Sequence, residues 1–400
     1  MRFNGFIRPD GKVGIRNLIL IMAVTDCVEG IGRKICETVR DSVLITQNHG
    51  CLVVGNEQVI HNMVGVAENP NVAAILFLSM GCESLRPEIV AGRLIKSQKM
   101  VEILTCTKEG GTKNVIEKGI KIAQKMRDDA DRIARQAVDV SNLTVAVKCG
   151  GSDTSSGIAS NPSVGAAVDK LVDLGAKVIF SEPIEAIGGE EELCRRAVNE
   201  RVARQIRELV SAEEKRYTVQ GAEMEFMCKG NIIGGLTTIE EKSMGSLHKT
   251  GSAPIVGVLR NNRTVLEKPA EGGVYFQEGT HFDAMTAAHF VAAGAQMIVF
   301  TTGVGAGFNN VLAPTIRVCG NVSVIDKVIA DIDIDASNIM RGKESIEDVG
   351  MRIVETIIDV ANGKKTKIED DGYSSFVFYR QDPRLEYFIS EKNKKGGNNQ

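Results

Sequence analysis

The sequence predicts an α/β protein of two domains, each built on a mainly parallel sheet. Three observations carry that expectation. Short apolar runs alternate with longer segments of helical period, the pattern of parallel strands joined by covering helices. The chain has 400 residues, enough for two or three domains at roughly 150 residues each. Its 41 glycines occur without low-complexity repeats, which signals tight turns and close backbone approaches.

The elements follow in order. Strands are expected at Asn17–Val24, Ser42–Thr46, Val72–Leu78 and Val101–Thr105, where β-branched and leucine-rich runs stop at polar or glycine loops. Amphipathic helices are expected near Val28–Arg40, Glu57–Ala67, Ser84–Ser97 and Thr112–Val138. Asp139–Asn142 then marks the boundary between an N-proximal domain, 1–140, and a second domain, 141–390. In the second, strands are expected at Leu143–Lys148, Lys177–Ser181, Pro254–Val258, Val274–Phe276 and Met297–Thr301, with helices at Pro162–Leu174, Glu190–Val210 and Asp283–Ala293. Residues 391–400 are polar and glycine-rich and read as a frayed tail.

Charge and hydropathy narrow the function classes. The 48 basic and 51 acidic residues are interspersed and sum to −3, so the basic footprint required by nucleic acid or an anionic membrane is missing. The longest apolar runs, Leu18–Val24 and Val72–Leu78, are far short of the roughly 20 residues of a membrane helix. Nine scattered cysteines and no signal-peptide core point to reduced thiols and a cytoplasmic protein.

Most of the chemistry-bearing residues fall just after strands. The loops are Thr25-Asp26-Cys27, Gln47-Asn48-His49-Gly50-Cys51, Ser79-Met80-Gly81-Cys82-Glu83, Thr105-Cys106-Thr107 and Lys148-Cys149-Gly150-Gly151-Ser152-Asp153. In open α/β sheets ligands bind outside these carboxyl ends. Cys27, Cys51, Cys82 and Cys149 are separated by 24, 31 and 67 residues and match no C-x₂-C signature, which leaves them open between small hydrophobes and soft metal ligands. His49 and His281 stand where a general acid or base would. Gly303-Val304-Gly305-Ala306-Gly307 fails as a dinucleotide fingerprint because its third glycine comes one position early.

Taken together, Gly5–Asn17, the Lys148–Asp153 loop with Ser156-Gly157 and Asn161-Pro162, Ser181-Glu182, Gly234–Ser243 and Thr301-Thr302-Gly303 resemble the altronate/galactarate dehydratase family, in order from residue 5 to about 340. The resemblance implies a lyase acting β to a carboxylate, on a small anionic sugar acid such as altronate or galactarate. It implies a dimerisation domain followed by an unusual Rossmann-like domain that carries a divalent metal, Fe2+ or another such as Mn2+. The family's small β-clip domain, which precedes the Gly5 motif, has no counterpart here, so the expected assembly is a homodimeric large subunit with a separate small β-clip subunit. Two alternatives stay open: a sulfolactate sulfo-lyase large subunit releasing sulfite, and a non-catalytic structural subunit. Met227–Asn231 and Val304 depart from the family pattern at positions tied to substrate choice.

On that reading the metal would lie against Asp153, Glu182 and Cys149. Lys148 and Asp153 would take part in catalysis with His49 as base or acid. Arg16 and Lys148 would bind the substrate carboxylate, and the pairs Gly150-Gly151 and Gly234-Gly235 would let backbone N–H groups approach it. The other polar motif positions, Asn17, Ser152, Thr237, Thr238, Lys242 and Thr302, are assigned to the substrate.

Overall fold

The computed structural model describes residues 1–51, 57–219 and 227–379. The expected tail at 391–400 lies outside them. Fourteen strands in the described residues form three sheets. A small antiparallel sheet joins β1 (Arg2–Ile7), β2 (Val13–Gly14) and β7 (Gln136–Asp139) in the order β2-β1-β7. A four-stranded parallel sheet has the order β4-β3-β5-β6, from β3 (Leu18–Ala23), β4 (Ser42–Thr46), β5 (Val72–Ser79) and β6 (Met100–Thr105).

The third sheet is parallel and seven-stranded. It comprises β8 (Thr144–Cys149), β9 (Lys177–Phe180), β10 (Ile255–Leu259), β11 (Gly273–Gln277), β12 (Met297–Thr301), β13 (Thr315–Cys319) and β14 (Ile334–Asp335), in the order β10-β11-β9-β8-β12-β13-β14. The chain winds outward from β8 on one side, then returns to continue from β12 on the other. This is the doubly wound pattern, with β10 displaced to the far edge beyond β11. Its carboxyl ends around β8 form the crevice where such sheets bind ligands.

Period-2 alternation along β8 explains how the sheet serves two cores. Val145 and Val147 pack with the helices Asn161–Asp173 and Ile346–Ala361. Ala146 faces the other way, into a core shared with Leu20, Met22 and Phe77 of the four-stranded sheet and with Phe290 and Phe300. The two parallel sheets therefore share one apolar interior. Continuing the alternation, Lys148 emerges on the Phe300 side, its ammonium 5.9 Å from that ring centroid, and Cys149 emerges on the opposite side.

Two expected helices differ from the structure. The one expected to run to Val138 ends at Asp131, because residues 136–139 pair instead with β1. The one expected over Glu190–Val210 is two helices, Glu190–Arg195 and Glu200–Val219. Arg196 breaks it, donating to the Thr250 and Ala253 carbonyls at 2.9 Å each, while Ala197 bridges to Ile255. The strands β1, β2, β7, β13 and β14 escaped the sequence reading, being short or partly polar.

Candidate active site

Beyond the carboxyl ends of β8 and β9, three buried lysines meet two buried glutamates. Lys148 ends β8, and Glu182 follows β9 in a left-handed conformation at φ 74°, where a non-glycine residue is strained and the surrounding structure must hold it. Glu185 sits one short turn later. The helix Ile239–Leu247 and the turn after it present Lys242, Ser246 and Lys249, spaced 4 and 3 apart and hence on one face.

The contacts interlock. Lys148 Nζ pairs with Glu182 Oε1 and, at 2.7 Å, with Asp283 Oδ1. Lys242 Nζ lies 2.7 Å from Glu185 Oε1 and 3.3 Å from Ser152 Oγ. Lys249 Nζ reaches Glu185 Oε2 at 3.2 Å, Cys149 Sγ at 3.3 Å, Glu182 Oε2 at 3.7 Å and also Ser246 Oγ. Cys149 Sγ and Ser246 Oγ stand 2.7 and 2.6 Å from Glu185 Oε2.

Burying ions costs several kcal/mol each unless they are paired, and the pairing sets their protonation. Burial and the neighbouring Glu185 charge push the Glu182 carboxyl up to about 7, against Lys148 and Lys249. Burial also opposes ionisation of Glu185, but Lys242 and Lys249 overcome it and hold Glu185 well below the usual carboxylate range. Burial and Glu185 raise the Cys149 thiol. Burial works against charge on Lys148, yet Glu182 and Asp283 hold it above the ordinary lysine value. Each buried charge in the cage is thus held by a partner of opposite sign.

Cys149, Glu182 and Glu185 also place one ligand atom each within 4.8 Å of one another. Glu182 Oε2, buried without a hydrogen-bond partner, marks an unused ligand position. One thiol with two carboxylates is a donor set that suits a borderline divalent ion such as Fe2+, so the residues present fit a metal.

The structure sorts the sequence candidates. Lys148, Cys149, Glu182, Ser152 and Lys242 come together here. Asp153 stays in the adjacent loop, outside the Cys149 group, with its carboxylate occupied. Its Oδ1 accepts from Ser155 Oγ at 2.7 Å and from Ser156 N and Oγ at 3.1 Å, and its Oδ2 accepts from Asn321 Nδ2 at 2.7 Å. Gly303 lets that loop close, since a Cβ there would lie 2.0 Å from Asp153 Oδ1. Gly150 and Gly151 are equally tight against Phe300 and Val304. Thr302 is fully buried and accepts from Ala306 N at 3.0 Å.

Thr237 and Thr238 cap the helix that carries Lys242. Thr238 Oγ1 accepts from Glu241 N at 3.2 Å, and Thr237 donates to the Glu241 carboxylate. Gly235 adopts φ 95° just before this cap, a conformation that favours glycine.

Arg16 and Asn17 lie at the opposite end of the strands. Arg16 forks onto Glu369 at 2.7 and 2.8 Å and donates to the Val360 and Lys364 carbonyls. Asn17 bonds Arg8 and Ala130 O. Asn71, which accepts from Ile15 N, donates to Gln296 O and Leu312 O just ahead of β12 and β13, so this region is the amino end of both parallel sheets. His49 follows β4 and donates from Nε2 to Phe378 O at 2.8 Å.

Glu185, Ser246, Lys249 and Asp283 were not among the sequence candidates. The polar 242/246/249 spacing, a stripe on one helical face, was the signal that could have found the middle two. His281 is half-buried near this site, where burial lowers its pKa despite Glu185.

A doubly wound α/β sheet thus carries a buried cluster of lysines and carboxylates beyond its carboxyl ends, the place where such folds bind ligands. The chain belongs to the D-galactarate/altronate dehydratase family: the family's C-terminal domain matches residues 140–383 and its second domain, described as D-galactarate dehydratase/altronate hydrolase, matches 5–131. The (2R)-sulfolactate sulfo-lyase subunit beta of Chromohalobacter salexigens is 31% identical over 384 residues, 94% of this chain and 97% of that protein. The galactarate dehydratase (L-threo-forming) of Escherichia coli is 31% identical over 395 residues, covering 92% and 74%. The altronate dehydratase of Bacillus subtilis is 28% identical over 396 residues, covering 94% and 77%. These relatives are dehydratases and a lyase, and the chain is a lyase-type enzyme of the same kind. No helix among the described residues is long and apolar enough to cross a membrane.

Proposed function

We propose that the chain eliminates water from a hydroxylated sugar acid, such as altronate or galactarate, by removing the proton α to the carboxylate and expelling the β-hydroxyl. The carrying observation is the cage itself: Lys148, Lys242 and Lys249 are buried within reach of Glu182 and Glu185. Abstraction of an α-proton leaves a dianion that fixed cations must stabilise. Lys148 and Lys242, exchanging their carboxylate partners, hold the substrate carboxylate and stabilise that charge. In the metal-free cage Glu182, with its carboxyl near 7 and one oxygen without a hydrogen bond, is tuned to exchange a proton at neutral pH. Ser152, on Lys242, positions a substrate hydroxyl. A divalent ion held by Cys149, Glu182 and Glu185 would supply Lewis-acid stabilisation.

A second reading differs in the leaving group alone: sulfite from a sulfolactate-like acid. Its support is the match to the sulfo-lyase subunit over 97% of that protein. On either reading the working unit is a homodimer with a separate small subunit, in a reducing cytoplasm that suits nine unpaired cysteines.

The test is anaerobic assay with ferrous iron of a panel of sugar acids and sulfolactate, with and without a small β-clip partner subunit, following keto-acid and sulfite. Keto-acid from one sugar acid without sulfite supports the dehydratase. Sulfite release moves the assignment to the second reading, and no product from any substrate defeats both.

A further inference from the structure

The cage leaves the Gly5–Asn17 motif unused, and the turn within that motif lines a cavity of its own. Pro9-Asp10-Gly11 reverses the chain between β1 and β2, with Gly11 at φ 81° and Arg8 N donating to Lys12 O at 2.7 Å. Lys12 is thereby presented at the amino ends of β8 and β9, where the cavity has a volume of about 350 Å³. Two further lysines line it from distant segments: Lys177 from the first position of β9 and Lys268 from the loop after β10. Buried amides fix its frame. Gln296 Oε1 accepts from Thr144 N at 2.5 Å, and its Nε2 donates to Val13 O and, at 3.3 Å, to Asn142 O. Asn69 donates to Val291 O and Ala295 O at 2.9 and 2.8 Å.

The lysines here are held as those of the cage are, by side-chain carboxylates that can change partners. Lys12 Nζ lies 2.7 Å from Asp10 Oδ2, and Lys268 Nζ lies 2.7 Å from Glu68 Oε2. Lys177, without a carboxylate partner among the described residues, donates to Ser141 O at 3.3 Å. Three ammoniums thus line a cavity that offers them two carboxylates. Lys99 adds a fourth positive charge, donating to Ala67 O at 2.9 Å and Asn69 O at 2.6 Å, the carbonyls on either side of Glu68 in the chain. Burial lowers the pKa of Lys99, Lys177 and Lys268, and neighbouring positive charge, Lys12 included, lowers Lys99 and Lys268 further, against Asp10 at both and Glu68 at Lys268. Desolvated ammoniums that repel one another are unfavourable as they stand, and an entering anion relieves them.

The donors decide the class of anion. Lysines, rather than arginines, supply the charge around the cavity. An ammonium acts as a point charge that a tetrahedral dianion satisfies from any direction, whereas a planar carboxylate is best held by a bidentate arginine. The volume is near the low end of the usual range for ligand sites, about 300–1,000 Å³, and admits a phosphate ion or a small phosphate ester.

We propose that this cavity binds a phosphate-class dianion through Lys12, Lys177 and Lys268, at the far end of the strands that lead to Lys148 and Glu182. The site is independent of the lyase reading. The six residues of β8 put roughly 17 Å between it and the cage, about twice the screening length of roughly 8 Å at physiological ionic strength.

Equilibrium dialysis of the full chain against radiolabelled inorganic phosphate, in potassium chloride at physiological ionic strength, tests the site. Saturable binding is expected, weakened at least about tenfold in Lys12→Glu and in Lys177→Ala, the weight of one charged hydrogen bond. Lys12 is exposed in its turn, so its variant probes the site without disturbing the fold, which circular dichroism verifies. Lys113→Glu, the same charge change on an exposed position of the helix Thr112–Asp131, should leave the affinity within about twofold, since distant surface charge is screened. Glycerol 3-phosphate that displaces the label at lower concentration than unlabelled phosphate identifies the occupant as an ester, and the reverse order identifies it as the free ion. Phosphate held in the cage would be insensitive to Lys12→Glu and Lys177→Ala. Unchanged affinity in both variants, no saturable binding, or an equal loss in Lys113→Glu would overturn the proposal.

Discussion

Buried cations stand at both ends of the strands, and their partners differ. At the amino ends, Arg8, Arg16, Arg127 and Arg135 each have backbone carbonyls among their partners, beside Glu369 on Arg16 and Asp131 on Arg127. Arg8 donates to Pro70 O and Arg16 O, Arg127 to Asn17 O, and Arg135 to Asn4, Ile15 and Ala361 carbonyls. At the carboxyl ends, lysines are held by carboxylates, a serine and a thiol. A carbonyl cannot leave without unfolding its segment, so the amino-end arginines are clasps. A side-chain carboxylate can yield its place to a substrate carboxylate, and a compact ammonium can change partners with little rearrangement. Exchangeability of the partner, rather than burial of the cation, separates an anion site from a structural clamp.

The largest expected effect tests the exchangeable end. Lys148→Met should lower kcat/KM at least about a hundredfold and, by removing the nearer partner of buried Glu182, cost about 3–5 kcal/mol in denaturant unfolding. A variant that retains wild-type turnover would break the comparison. Arg16→Ala tests the clasp: a loss of about 2–3 kcal/mol from its charged hydrogen bonds, with KM and kcat within twofold. A rise in KM alone would return Arg16 to the substrate, as its motif suggests.

Gly303→Ala drives a methyl into the Asp153 carboxylate and should cost about 1–3 kcal/mol, with a fall in kcat if the loop positions Ser152. His289 offers a pH test away from the cage. It is fully buried on the helix Asp283–Ala292, and desolvation depresses its pKa from 6.5 to about 3. The unfolded chain then binds the extra proton between those values, so stability is complete above pH 6.5 and lost as pH falls towards 3, by at most about 1.4 kcal/mol per pH unit. His289→Phe should flatten that part of the acid-denaturation profile, and an unchanged slope would refute the assignment. The smallest effect is at the cap: Thr238→Ala should cost about 1 kcal/mol and loosen Lys242, read as a small rise in KM.

The strands of the four-stranded sheet and β8 to β12 of the seven-stranded one could be read from the chain because each is a run of largely apolar residues ended by a loop, whereas β13 and β14 could not. β4 and β12 appear with the boundaries expected, Ser42–Thr46 and Met297–Thr301. Lys148-Cys149 was legible as a site candidate from its place at a strand end, whereas Ser181-Glu182 stood out only through the family resemblance. The choice between Asp153 and Glu185 was not legible. Both are acidic residues just beyond a strand, and only their neighbours distinguish them: Ser155, Ser156 and Asn321 saturate one, while Lys242 and Lys249 surround the other.

By itself, then, the sequence determined most of the elements, the α/β class with mainly parallel sheets, the family and the strand ends where chemistry collects, because hydrophobic period and loop composition are local properties of the chain. Tertiary structure alone decided which of those residues share a site. Lys148 meets Asp283 across 135 residues and Cys149 meets Lys249 across 100, while Arg16, in an equally suggestive motif, is drawn to Glu369. Pairing and desolvation arise only when distant segments pack, and it is they that set the charge of a carboxylate, a thiol or an ammonium.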